Sequence, residues 1–277
     1  MNPPENMLID PVIFRLGPFE FRWYGLMYLL GFGVAYLIIR NELERKNGPI
    51  PSEAAGDFLF YLVLGLLLGA RIGYVIFYNL PVYVHRPWEV LAIWHGGMSF
   101  HGGLIGMILS GLIFSIKRKV SFFELADIGA LAAPLGLMLG RIGNFINGEL
   151  FGRATDLPWG MIFPGGGNIS RHPSQLYEAL LEGPILFVIL WVARKKVKMA
   201  GDILAIFLIL YGFFRFTAEF FREPDPQIGF IFSGLTMGQI LCLAMCLTGF
   251  GLFLHLRLKA GFGGRNASAS VDNRSGS

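Results

Sequence analysis

Seven stretches of this chain, near residues 22–40, 56–78, 98–116, 127–146, 175–193, 201–221 and 236–257, are almost unbroken runs of apolar residues. About 20 residues of α-helix cover the roughly 30 Å of hydrocarbon in a bilayer. Inside that layer the backbone must satisfy its own polar groups, which leaves helices as the solution for runs of this length. The expected fold class is therefore an all-α integral membrane protein, a polytopic bundle of seven transmembrane helices. Only 15% of the residues are charged against 54% hydrophobic, where a soluble domain carries about 25% charged. Residues 1–260 read as a single seven-helix domain. Residues 261–277, rich in Gly, Ser, Asn and Ala, read as a disordered tail.

Charge placement orients the bundle. Arg40, Arg45 and Lys46 follow the first run, and Lys117, Arg118 and Lys119 follow the third. Arg194, Lys195, Lys196 and Lys198 follow the fifth, and Arg257, Lys259, Arg265 and Arg274 follow the seventh, so every lysine lies on one side. The positive-inside rule places the N-terminus outside and the C-terminus in the cytoplasm. Trp23, Trp88, Trp94 and Trp159 fall on the outer side and suit an interfacial belt. The N-terminus holds Pro3, Pro4, Glu5 and Asp10 without a basic stretch and cleavage site, so it does not read as a cleavable signal peptide. The net charge of +4 comes from these short basic clusters, which excludes a nucleic-acid-binding role.

Small residues recur every four positions at Gly65, Gly69 and Gly73 and at Gly102, Gly106 and Ser110, a pattern that lets helices approach closely. Cys242 and Cys246 lack partnering His or Cys residues and read as packing residues on one helix face. No metal motif, phosphate-cradling glycine loop or Gly-x-Ser-x-Gly elbow occurs, so no metal and no cofactor are expected. The long outer segment 147–174, with Pro158, Pro164 and Gly165 to Gly167, reads as an outer loop cap.

Against this apolar background the polar residues in the runs stand out. Arg141 and Asn144 share a face in the fourth run, as do Tyr211, Arg215 and Glu219 in the sixth. Tyr24 and His101 open the first and third runs, and the orientation brings all of them to one depth in the outer leaflet. An intramembrane ionisable residue is a functional-site hypothesis by default. The alternative is that Arg215 and Glu219 neutralise each other while Arg141 snorkels to the interface. His101 is either a general base or a packing residue, and His95 is a loop residue. Arg71 either supports the site electrostatically or snorkels outward. Glu149, Arg153 and the segment from Arg171 to Gln175 organise the outer loop or cap the fifth helix, with Ser174 and Glu178 loosely cap-like. Two arginines beside a Tyr and a His suit a lipid phosphate, which the guanidinium fork binds bidentately. The residues alone do not separate a transferase from a phospholipid transporter or flippase.

Five segments carry a resemblance. They are Trp23 to Tyr28, Gly97 to Gly106, Gly140 to Glu149, Arg171 to Glu178, and Phe214-Arg215 with Glu219 to Arg222. In this order they resemble the bacterial prolipoprotein diacylglyceryl transferases, over about residues 10–258. The resemblance implies a monomeric catalytic domain in the bacterial inner membrane with its active site towards the outer leaflet. The implied reaction transfers a diacylglyceryl group from phosphatidylglycerol to the thiol of the lipobox cysteine in the signal peptide of a preprolipoprotein, releasing glycerol 1-phosphate. It implies Arg141 and Arg215 as phosphate-binding and leaving-group electrophiles. Tyr24, Asn144, Gly152 and Glu219 would shape or support the site, with Tyr211 on the substrate-binding face and His101 as a candidate base.

Overall fold

A computed structural model describes residues 9–46, 48–92, 96–197, 199–224, 230–232 and 234–272. The expectations attached to Pro3, Pro4, Glu5, Trp94, His95, Lys198 and Arg274 lie outside the described residues. Each apolar window holds helix: α1 (Trp23–Lys46), α2 (Ala55–Tyr78), α4 (Phe100–Arg118), α5 (Phe122–Ile146), α6 (Ser174–Leu180) with α7 (Leu186–Ala193), α8 (Asp202–Glu219), and α9 (Met237–Asp272). A short α3 (Leu80–His85) lies between α2 and α4. Six of these segments are long and apolar enough to cross a membrane. The other, α8, is apolar over most of its length but carries Asp202, Arg215 and Glu219. Helix α9 is apolar over its span-length part, Met237–Ala260, and its backbone stays helical to Asp272, beyond the expected start of a disordered tail.

The chain is an all-α polytopic membrane protein with two small additions. Strands β1 (Val12–Leu16) and β2 (Phe19–Arg22) pair antiparallel around Gly17, whose φ of 59° lies in the left-handed region. Strands β3 (Phe230–Phe232) and β4 (Leu235–Thr236) pair in the same sense.

The helices divide between two compact units, residues 1–35 with 129–277 and residues 36–128. In the second unit the small-residue stripes of α2 and α4 face each other antiparallel. A Cβ added at Gly73 would lie 2.8 Å from Gly102 Cα, and one at Gly69 would lie 2.7 Å from Gly106 Cα. Ser99 caps α4, its Oγ accepting from the Gly102 amide at 3.2 Å. Arg71 does not snorkel outward. It is 5% exposed and donates to the carbonyls of Glu89 (2.6 Å), Val90 (2.8 Å), Ala92, Gly96 and Gly97. Those bonds gather five carbonyls that precede α4 around one guanidinium, so its burial is compensated by hydrogen bonds.

In the first unit α8 and α9 pack antiparallel through glycine. A Cβ at Gly212 would meet Cys246 Sγ at 2.6 Å, and one at Gly249 would meet Ala205 O at 2.8 Å. Both cysteines are thus packing residues at this seam, and Cys246 Sγ also donates to Ile209 O at 3.4 Å. The fifth span is broken: between α6 and α7 the turn Leu181–Ile185 widens to π type, with Gly183 at φ −97° and ψ −108°. Pro184 supplies the cause, because it lacks an amide hydrogen and excludes helical geometry at the residue before it. Gly183 also makes room for α5, since a Cβ there would lie 2.6 Å from Met138 Cβ.

Candidate active site

The site is built where α5, α6 and α8 bring charge together. Arg141, on the last turns of α5, reaches Glu178 of α6 with Nε to Oε2 at 2.7 Å. Arg215, on α8, reaches the other oxygen of the same carboxylate, Nη1 to Oε1 at 2.5 Å. Glu178 is 1% exposed and therefore holds two arginines from different helices in register. Arg215 also pairs with Glu219 one turn along its own helix, Nη2 to Oε2 at 2.8 Å. Arg222, just past α8, comes within 3.6 Å of Glu178. Burial, followed by the positive charge of Arg215, pulls its guanidinium below the ordinary arginine range. Neither half of the sequence alternative describes this arrangement, because Arg215 meets more than Glu219 and Arg141 turns inward to carboxylates.

A second carboxylate stands behind the first. Glu182 lies in the π-type turn, fully buried, with Oε2 3.6 Å from Arg141 Nε and Oε1 3.8 Å from Arg215 Nη1. Its arginine contacts are long ion pairs beside the close ones of Glu178. From the sequence, Glu178 read only as loosely cap-like and Glu182 was not singled out. The signal was an i, i+4 carboxylate pair inside an apolar span, the counter-charge that two intramembrane arginines require.

The Gly-Arg-Ile-Gly-Asn signature closes α5 by folding on itself. Asn144 Nδ2 donates to Glu149 Oε1 at 2.8 Å, and the Glu149 amide donates to Asn144 O at 3.1 Å. The turn passes through Gly148, at φ 67°. The Glu149 and Leu150 carbonyls then accept from Gln175 Nε2 (2.7 Å) and Ser174 Oγ (3.2 Å), tying the end of α5 to the start of α6. Gly143 gives space to Tyr24: a Cβ there would lie 2.7 Å from Tyr24 Cδ2. Tyr24 shares a hydrogen bond of 3.2 Å with Tyr28, one turn further along α1. Tyr211 stacks on Phe207 one turn before Arg215.

The segment 147–174, expected to be an outer loop cap, joins α5 to the start of α6, with Gly152 at a crossing point. The Gly152 amide donates to His172 O and the Arg153 amide to Phe221 O, each at 2.9 Å. A Cβ at Gly152 would lie 2.5 Å from Phe221 O and 2.6 Å from both His172 O and Cβ. The structure thus gives Gly152 a backbone-packing reason to be glycine. Arg171 staples the cap by donating to Gly166 O (2.8 Å) and Gly152 O (3.2 Å) and pairing with Glu223 at 3.0 Å.

The first unit therefore brings together Arg141, Arg215 and Glu219 in one cluster, with Asn144 one turn beyond Arg141. His101 belongs to the second unit, where it is exposed on the first turn of α4 beside Phe100. Among the described residues no group of three His, Cys, Asp or Glu side chains could hold a metal ion. Chemically, the cluster offers guanidinium forks, two of them 13–17% exposed, preset by carboxylates that are themselves buried. Arg141 makes its closest approach to both glutamates through Nε.

Residues 11–255 match the family model described as prolipoprotein diacylglyceryl transferase. Three similar proteins are each named phosphatidylglycerol-prolipoprotein diacylglyceryl transferase. The one from Geobacter sulfurreducens is 55% identical over 241 residues, covering 87% of this chain and 93% of the relative. That from Desulfotalea psychrophila is 51% identical, covering 91% and 96%, and that from Nitratidesulfovibrio vulgaris 49%, covering 88% and 93%.

Proposed function

We propose, from the premise that the chain belongs to the prolipoprotein diacylglyceryl transferase family, that its buried arginine pair holds the phosphate of phosphatidylglycerol during transfer to a lipoprotein precursor. As a member of that family it is a transmembrane transferase of lipoprotein biosynthesis. The observation that carries the assignment of the site is the sharing of one buried carboxylate, Glu178, by Arg141 and Arg215.

In the proposed reaction the acceptor is the thiol of the lipobox cysteine in a preprolipoprotein signal peptide. Its sulfur attacks the glycerol carbon that bears the phosphate ester. A C–S bond forms as the C–O bond breaks, the bond electrons pass to the phosphate oxygen, and glycerol 1-phosphate leaves. The substrate supplies the nucleophile, so the protein's tasks are to hold the developing phosphate charge and to remove the thiol proton. Negative charge on the phosphate grows in the transition state, so the arginines stabilise that state more than the ground state. The carboxylates fix both guanidinium groups beforehand, which limits reorganisation during the reaction. Tyr24 and Asn144 support the end of α5, Tyr211 and Glu219 lie on the substrate face of α8, and Gly152 lets the cap close. His101 is the candidate base for the thiol.

The setting proposed is the bacterial inner membrane, with seven spans, the N-terminus outside and the site towards the outer leaflet. The one-sided placement of the lysines supports it. A phospholipid transporter would also want a broken helix, which the π-type turn supplies. Family membership favours the transferase. The test is to incubate the purified protein with phosphatidylglycerol and a lipobox peptide and to seek the diacylglyceryl adduct by mass spectrometry. Lipid movement across vesicles without any adduct would support the transporter instead.

A further inference from the structure

Charge balance in the cluster poses a question about binding. Arg141, Arg215 and Arg222 face Glu178, Glu182 and Glu219, and with every group ionised the positive and negative charges cancel. A lipid phosphodiester adds one negative charge to a site whose carboxylates are nearly removed from water. An uncompensated buried charge is costly, so binding favours either expulsion of a carboxylate or its neutralisation. Covalent geometry limits expulsion, since Glu182 sits on the turn pinned between Pro184 and the Gly183 contact with Met138.

The three carboxylates differ in how firmly they are committed. Glu178 has arginine nitrogens at 2.7 and 2.5 Å. Glu219 has Arg215 at 2.8 Å and accepts from Thr236 Oγ1 at 3.1 Å. Glu182 is the most buried, and its nearest arginine contacts, at 3.6 and 3.8 Å, are longer than the nearest ones of the other two. The groups that face it are Arg141 of α5, Glu178 of α6, Arg215 and Tyr211 of α8, and Cys242 of α9.

We infer that Glu182 is a positioning residue that takes up one proton when the anionic lipid headgroup binds, yielding Arg141 and Arg215 to the phosphate. This rests on the proposed placement of the phosphate at the arginine pair. While the site is empty, Glu178 holds the guanidinium groups in place and the ionised Glu182 balances their remaining charge. A proton from solvent neutralises it as the phosphate takes over its share of the arginine charge. When glycerol phosphate departs, the proton is released again and the resting arrangement returns. The consequence is that affinity for phosphatidylglycerol falls as pH rises through the window in which the empty site is ionised. The full limit is tenfold per pH unit for one proton taken up.

The experiment is calorimetric titration of the full chain in nanodiscs of zwitterionic lipid with short-chain phosphatidylglycerol, without acceptor peptide so that no turnover occurs. Repeating it in buffers of different ionisation enthalpy reads the number of protons bound. The expected result is an uptake approaching one proton for the wild type and near zero for Glu182→Gln, whose neutral amide copies the protonated state. Glu182→Asp should restore uptake. Zero uptake by the wild type, or the same uptake in wild type and Glu182→Gln, overturns the inference. The wild-type arm stands even if a variant fails to fold. A parallel transfer assay with a lipobox peptide separates the two levels. Absence of transfer there defeats the function, whereas transfer without proton uptake defeats only the role of Glu182.

Discussion

Glu178 is the residue on which the site turns, because one side chain fixes the positions of two arginines that the sequence keeps 74 residues apart, at 141 and 215. Removing one partner of a buried ion pair leaves the others uncompensated, at a cost of about 3–5 kcal/mol. Glu178→Gln should therefore lower both thermal stability and turnover, and a melting curve beside a transfer assay checks the two together. Gly152→Ala acts by another route. Its new methyl would meet Phe221 O and His172, so limited proteolysis should cut the cap faster while the membrane helices stay protected. The arginines were legible in the sequence because charge in an apolar run is rare. The glutamates were overlooked because Glu178 also reads as part of a helix start. The partners of Arg71 were not legible, because backbone carbonyls leave no mark in a sequence.

Among elements, the pairing of α2 with α4 and the break between α6 and α7 do the most to shape the molecule. Gly69 and Gly106 allow backbone contact, and the nearest atoms across the seam at these two positions are backbone. Gly69→Leu or Gly106→Leu should force the pair apart and lower the melting temperature by several degrees or prevent insertion, as read by fluorescence-detected size exclusion. Arg71→Lys retains charge but cannot reproduce the planar fork that serves the carbonyls of Glu89, Val90, Ala92, Gly96 and Gly97. The expected outcome is faster hydrogen exchange in the segment before α4 with little change in α8 and α9. The helices were readable from the sequence because apolar length alone dictates them. The π-type turn was not, since Gly183 and Pro184 within a run are compatible with either a kink or a continuous helix. The two hairpins were also missed, being shorter than the pattern that reveals strands beside a dominant helical signal.

At the scale of the whole molecule, an apolar bundle carries a buried set of balanced charges that would be costly without a use. Family membership supplies a use, and in the proposed reaction the cluster holds phosphate charge away from water. The most direct measurement reconstitutes the wild type, Arg141→Ala and Arg215→Ala with phosphatidylglycerol and a lipobox peptide. Mass spectrometry then follows the diacylglyceryl thioether and the released glycerol phosphate, and circular dichroism monitors the helices. The expected result is adduct from the wild type and loss of at least about 10²-fold in rate from each variant with the helical content retained, the scale of one well-aimed charge-stabilising donor. Near-normal turnover by either folded variant would contradict the assignment of the arginine pair.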